Sequence, residues 1–443
     1  MSGLWTPGLD EFRSLLKLEL TQMYEEGFDV EEFLKDPRLI DEMGLNELDE
    51  LYRKLKHVPT RRGYPYTEPT DLDGIRGLRI RGPRRLELGY SREMLKDRVA
   101  GAWLGRCIGC LIGKPVEGFD RGLIERYLKA AGEYPPRGYL PALDKVVEGL
   151  PSDFSESRRG MLRGSIDCMP RDDDIDYTIL NLHVLETYGF DFTTEDVGLE
   201  WLSHLPYKAT YTAERAAYRN LVLGLKPPET AVYMNPYREW IGAQIRADLW
   251  GYVAPGLVEY AASMAYRDAA LSHVKNGVYG EMFIAATVSA AFAVDDVEEA
   301  LKIGLTEIPS SSRLAEVVEN TMKWSKADGY WGETWERVME VYGRYHRVHV
   351  LNNAAMVVLS LMHGGGDFVK SVGISVMCGL DTDCNCATVG SILGALKGLK
   401  SIPDRLVKPL NDRVRSMVAG FDGSSITELA RRTLKLAIKK LST

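Results

Sequence analysis

Apolar residues recur every three to four positions along most of this chain, and no train of alternating strands interrupts them. Near the N-terminus Phe12, Leu15, Leu16, Leu18, Leu20 and Met23 keep that spacing and predict two or three amphipathic helices over residues 10–57. The rhythm stops at Val58. From there to Tyr90 the sequence VPTRRGYPYTEPTDLDGIRGLRIRGPRRLELGY is rich in Pro, Gly and Arg and reads as an extended connector. Helical periodicity, broken by Gly and Pro loops, returns near residue 90 and runs to the C-terminus. The pattern predicts an all-α protein: an N-terminal helical extension and connector over residues 1–90, then one large helical domain over residues 91–443. No repeat of solenoid length is evident.

Composition narrows the function classes. With 443 residues and 45% hydrophobic content the chain can bury a sizeable core. A net charge of -8 argues against broad capture of nucleic acid or anionic membrane, which needs a basic face. The longest apolar window, VAGAWLGRCIGCLIGKPV, is broken by Arg106 and is marginal for a membrane span. The start MSGLWTPGLDEF lacks the basic and apolar regions of a signal peptide. Six cysteines, clustered near motifs rather than spread as a disulfide frame, complete the expectation of a cytoplasmic protein.

Gly101, Gly105, Gly109 and Gly113 fall four residues apart, so on a helix they line one face and let another backbone or a ligand come close, most simply a packed helix. GCLIGKP is not a phosphate loop, because Ile108 stands where the first glycine is needed and Pro115 where Ser or Thr must follow. The stretch PRDDDIDYT, residues 170–178, sets four aspartates into five positions just before an apolar helix. A second acidic cluster lies in CGLDTDCNCATVG. Asp172, Asp174 and Asp176, and then Asp381, Asp383 and Asn385, have the 1-3-5 spacing of a calcium loop. Neither continues as an EF-hand; after the first cluster Tyr177 replaces the sixth-position glycine and His183 the final glutamate.

Both clusters lead into helices. After the second, Val389, Ile392, Leu393 and Leu396 form the apolar face, and Gly390, Ser391, Gly394 and Ala395 a close-packing one. One or two carboxylates at a helix N-terminus are ordinary caps, each contributing about 0.3–1 kcal/mol. The full set repels itself and is costly beside a buried helix unless cations compensate it. Carboxylate oxygens select hard ions, so Mg²⁺ or Mn²⁺ fits better than Zn²⁺. Cys107 and Cys110, and Cys384 and Cys386, lack partners at zinc-site spacing and read as buried thiols.

Four segments together carry a resemblance: GRCIGCLIGKPVEG (105–118), RDDDIDYTILNLHVLE (171–186), NGVYGEMF (276–283) and GLDTDCNCATVGSILGA (379–395). In this order they resemble the motifs of the ADP-ribosylglycohydrolase family, over roughly residues 94–443. The resemblance implies an all-α fold with two Mg²⁺ ions, or Mn²⁺, at the base of a cleft. It also implies hydrolysis of the anomeric C–N or C–O bond of a small-molecule or protein-conjugated ADP-ribosyl substrate. Asp173 and Asp174 match the family's first metal-binding pair, Asp381 and Asp383 the second, and Asp172 joins them as a further candidate ligand. Glu117 matches the acidic residue near the metals and, with Asp174, is the candidate catalytic group. The sequence departs from the family pattern at Asp172 and Ile175, where Thr or Ser is usual, at Cys384 for Thr, and at Cys110 for Asp. These changes suggest a divergent branch. A hydrolase of another N- or O-glycoside, or a catalytically silent protein of the same fold, is the alternative.

Asn276, Gly277, Tyr279, Gly280 and Met282, with Phe283 beside them, and His349 are the candidate substrate-binding residues. Asn352, Asn353 and His273 are further polar candidates. The serines Ser310, Ser311 and Ser312 read as a helix cap, and HGGGDF as a turn joining two helices.

Overall fold

The amphipathic pattern at the N-terminus folds as the helices Leu9–Glu25 and Leu45–Leu55, with the one-turn helices Glu31–Leu34 and Arg38–Glu42 between them. In this computed structural model residues 7–36 and 38–442 are described. Phe12, Leu16, Leu20 and Met23 bury against Leu48, Leu51, Tyr52 and Leu55, so the extension has a small core of its own that reaches Met234 of the main body. Leu18, on the flank of that stripe, is only half-buried. The connector is irregular apart from the short helix Leu72–Gly77, whose N-terminus Asp71 caps by accepting from the Gly74 N–H at 2.8 Å.

Ser91 caps the first helix of the main body, Arg92–Gly113. From there helices follow one another to Leu441, and the one paired set of strands among the described residues is the two-residue ribbon Arg413–Val414 with Ser424–Ser425. The protein is all-α, as the periodicity predicts.

Two buried helices form the axis of the core. Arg92–Gly113 runs antiparallel to Thr382–Lys397 at backbone contact, and the glycine stripe is the reason. A Cβ added at Gly105 would lie 2.2 Å from the Gly390 carbonyl oxygen, at Gly109 2.0 Å from that of Cys386, and at Gly113 2.1 Å from that of Thr382. The reverse holds too, since a Cβ at Gly394 would meet the Gly101 carbonyl oxygen at 2.0 Å. Any side chain larger than hydrogen would wedge the pair apart. The stripe therefore admits another backbone rather than a ligand. Its consequence is positional: the C-terminal end of the first helix, which leads through the turn Lys114–Val116 to Glu117, is locked beside the N-terminal end of the second, where Asp381 and Asp383 stand.

The extension is joined to the body by buried ion pairs. Arg238 binds Glu19 at 2.7 Å and Glu26 at 2.6 Å, Arg313 binds Glu68 and Glu239 at 2.7 Å each, and Glu307 receives both Arg79 and, at 2.8 Å, Arg84. None of the described helices is long and apolar enough to cross a membrane.

Candidate metal centre

Asp172 occupies the N-cap of helix Asp173–Tyr188, its carboxylate accepting from the Asp174 N–H at 3.0 Å. Asp381 occupies the equivalent position on Thr382–Lys397 but makes no side-chain cap bond, so capping does not account for it. The preceding residue, Leu380, sits in the left-handed region at φ 63°, a conformation strained for leucine that turns the chain sharply into the second acidic helix. Arg347 ties this turn to the loop after Glu117, donating to the Leu380 carbonyl at 3.1 Å and the Gly118 carbonyl at 2.8 Å. Asn353, from helix Val350–Gly364, accepts from the Asp381 N–H at 3.3 Å and the Asn385 amide at 2.9 Å.

The two helix heads meet. Possible ligand atoms of Glu117, Asp381 and Asp383 lie within 4.8 Å of one another, as do those of Asp174, Asp383 and Cys384, and those of Cys110, Asp172 and Asp174. Asp174 and Asp383 thus link both acidic clusters into one centre. Asp173, although half-buried beside them, does not enter any of these groups among the described residues; Asp172 takes that place.

The electrostatics are those of crowded like charge. Burial and then Glu117 and Asp381 push the pKa of Asp383 well above the usual carboxylate range, and burial with Asp172 does the same to Asp173 and Asp174. Asp381 is raised by burial. Glu117 opens to solvent at the rim, yet desolvation of its carboxyl, followed by repulsion from Asp381 and Asp172, raises it too. Asp172 is the exception. Burial opposes its ionisation, but the Lys114 ammonium 2.5 Å away holds its pKa below the ordinary value.

Lys114 and Arg106 are the basic groups that sequence reasoning missed. Arg106 is fully buried, bonding Asp248 at 2.7 Å, the Thr178 hydroxyl at 2.9 Å and Asp174 at 3.2 Å. A lone arginine in an apolar helix was the available signal, since a charge there must be paired. Cys384 donates its S–H to Asp174 at 3.1 Å, and burial, followed by the neighbouring aspartates, pushes the thiols of both Cys384 and Cys110 well above their ordinary pKa in the metal-free protein. All six cysteines are free and buried.

Does a hard divalent ion fit these residues? One Asp383 carboxylate oxygen is buried with no hydrogen-bond partner, and the carboxylates at the junction of the two helix heads resist ionisation without a compensating charge. An oxygen-rich donor set with an orphaned buried oxygen matches a hard cation.

The predicted substrate residues lie elsewhere in the network. Asn276 donates to Glu68 and Glu239 at 2.8 Å each, the Tyr279 hydroxyl donates to the Pro69 carbonyl, and Met282 and Phe283 are core. A Cβ on Gly277 would strike the Arg238 carbonyl oxygen at 2.5 Å, and one on Gly280 the Val350 side chain at 2.5 Å. His349 caps Val350–Gly364 through Nδ1, and its Nε2 lies 3.7 Å from Glu25. Their partners are the extension, the connector and Glu239, so the structure joins them to the seam with the extension and not to the acidic cluster. Asn352 bonds the Tyr345 and His346 carbonyls, and His273 the Ser272 hydroxyl at 2.8 Å. Ser312 caps Arg313–Ala327, and Gly364, Gly365 and Gly366 join two helices, as expected. A cavity of about 450 Å³, lined in part by Met23, Tyr52, Leu225 and Tyr233, also lies at that seam, away from the carboxylates.

An all-helical body whose two aspartate-headed helices converge belongs to the class of proteins built around a carboxylate centre able to hold divalent metals. The ADP-ribosylglycohydrolase family model matches residues 91–441, and the chain belongs to that family. Among solved structures it is similar to an "ADP-ribosylglycohydrolase-related protein complex", at 19% identity and a TM-score of 0.44, over 79% of this chain and 100% of that one. No curated protein matches the chain.

Proposed function

We propose that the protein is a divalent-metal-dependent glycohydrolase that cleaves the anomeric bond of an ADP-ribosyl or related ribosyl conjugate. The observation that carries this reading is the meeting of Asp172 and Asp174 with Asp381, Asp383 and Glu117, held together by the glycine contact of two helices. Asp174, Asp381 and Asp383 would hold the ions, with Asp172 shared between them and Lys114. Mg²⁺ or Mn²⁺ bound there supplies charge neutralisation and Lewis-acid polarisation. Glu117, at the open rim with a raised pKa, would take the proton from water attacking an oxocarbenium-like carbon. Asn353 and Arg347 keep the Asp381 turn in register with the Glu117 loop. Six buried free thiols accord with a reducing, cytoplasmic location.

The second reading, a catalytically silent protein of the same fold, draws on Lys114 and Arg106, which already neutralise part of the acidic charge. Calorimetric titration of metal-free protein with Mg²⁺ and Mn²⁺, with and without ADP-ribose, separates the two. The glycohydrolase reading expects metal binding lost in Asp383→Asn and Asp174→Asn, and ADP-ribose affinity that depends on metal. Metal binding without ADP-ribose affinity redirects the search to another glycoside, and no metal binding at all sinks the catalytic proposal.

A further inference from the structure

Away from the acidic centre, His183, Glu200 and His204 bring three possible ligand atoms within 4.8 Å of one another. Glu200 and His204 lie four residues apart on helix Thr194–His204 and so share a face, while His183 comes from the helix headed by Asp172. The Glu200 side chain is 2% exposed, whereas those of His183 and His204 are 24% and 31% exposed. His204 Nδ1 stands 2.9 Å from Glu200 Oε1, and His183 Nδ1 contacts the same oxygen. The approach of His204 is not aligned as a hydrogen bond, so its buried Nδ1 has no hydrogen-bond partner. Among the described residues the two imidazoles are the only basic side chains within ion-pair reach of this buried carboxylate.

A buried carboxylate facing two imidazole nitrogens, with one side open to solvent, is the donor set of a borderline cation rather than a hard one. We propose that His183, Glu200 and His204 form a second metal site, taking an ion of the Zn²⁺ class, with solvent completing the tetrahedron. The ion would staple the first acidic helix to its successor. Through the His204 carbonyl, which accepts from Ala419 at 2.9 Å, the staple extends to the loop whose Ser416 hydroxyl binds Asp176 at 2.7 Å.

The test uses metal-free full-length protein titrated with Co²⁺ in saturating Mg²⁺, which occupies the carboxylate centre. The expected result is one equivalent of Co²⁺ with the visible d–d bands of tetrahedral coordination, weakened about tenfold or more in His204→Ala and Glu200→Gln and kept in Asp383→Asn. Circular dichroism of each variant checks that it folds. Crystals of the wild-type protein soaked in Zn²⁺ should show an anomalous peak between His183 and His204, a readout independent of any variant. Absence of that peak, or Co²⁺ binding unchanged in folded His204→Ala and Glu200→Gln, overturns the assignment.

Discussion

Lys114 sets much of the charge balance at the acidic centre, since its ammonium does most to hold the Asp172 carboxylate below its ordinary pKa, ahead of the Asp174 N–H and Arg171. Replacing it by Met removes a positive charge from among the acidic groups and leaves Asp172 without its nearest counter-charge. Divalent-cation affinity should then rise on the order of tenfold, because a like charge a few ångströms away no longer opposes the incoming ion. Without metal the same variant should lose about 1–3 kcal/mol, less than a fully buried pair would, because the lysine is partly exposed. Thermal unfolding of Lys114→Met with and without Mg²⁺ reads both effects, and equal losses in the two conditions would show that the ammonium plays no part in metal affinity. The carboxylates themselves were legible in the sequence, because crowded aspartates ahead of an apolar helix demand an explanation. Lys114 was not. Its neighbours in sequence suggested only a failed phosphate loop, and its partner Asp172 lies 58 positions away. That Asp172 rather than Asp173 comes close to Cys110 and Asp174 was equally hidden, because it depends on which residue caps the helix and which takes its first turn.

At the scale of helices, the acidic centre rests on how closely two of them approach. The four-residue glycine spacing was readable, as was the small-residue face of Gly390 and Gly394, but nothing in one chain says that the two faces are partners. Pairing them is a long-range fact, set by which alignment buries both stripes at once. Gly109→Ala should push the Cys386 carbonyl away and cost about 1–3 kcal/mol or more of stability. The displacement shifts the helix end from which the turn Lys114–Val116 carries the chain to Glu117, so metal affinity should fall in the protein that remains folded. Gly77→Ala, where an added methyl meets nothing within 4 Å, is the matched control and should change stability by less than about 0.5 kcal/mol. Measuring Mg²⁺ affinity and melting temperature on both variants tests the link. Unchanged affinity in a destabilised Gly109→Ala would mean that the contact serves stability alone.

Across the whole molecule the extension is bound to the body by charge as much as by apolar contact. Its helices were legible from periodicity, but their docking was not, and for a physical reason: NGVYGEMF and His349 look like cleft residues because they are polar, small and aromatic. Those same properties suit a buried polar seam, where Asn276, Glu239 and Arg313 meet Glu68 of the connector. Glu25 lies at the edge of that seam. Burial, then repulsion from Glu239, raises its pKa from 4.5 to about 8. A carboxyl whose pKa is higher folded than unfolded binds more protons in the native state, so its contribution to stability is complete below pH 4.5 and is lost as pH rises toward about 8. The carboxylates of the metal centre act in the same direction in metal-free protein, so the total slope does not isolate the seam. The difference between wild type and Glu25→Gln does. The variant, which keeps the hydrogen-bonding shape but cannot ionise, should match wild type at pH 5 and become more stable relative to it by a few kcal/mol, in order of magnitude, at pH 8. Melting temperatures of both proteins across that range, taken in chelator, decide the matter. Parallel curves would mean that Glu25 keeps an ordinary pKa and that the extension docks without a buried proton.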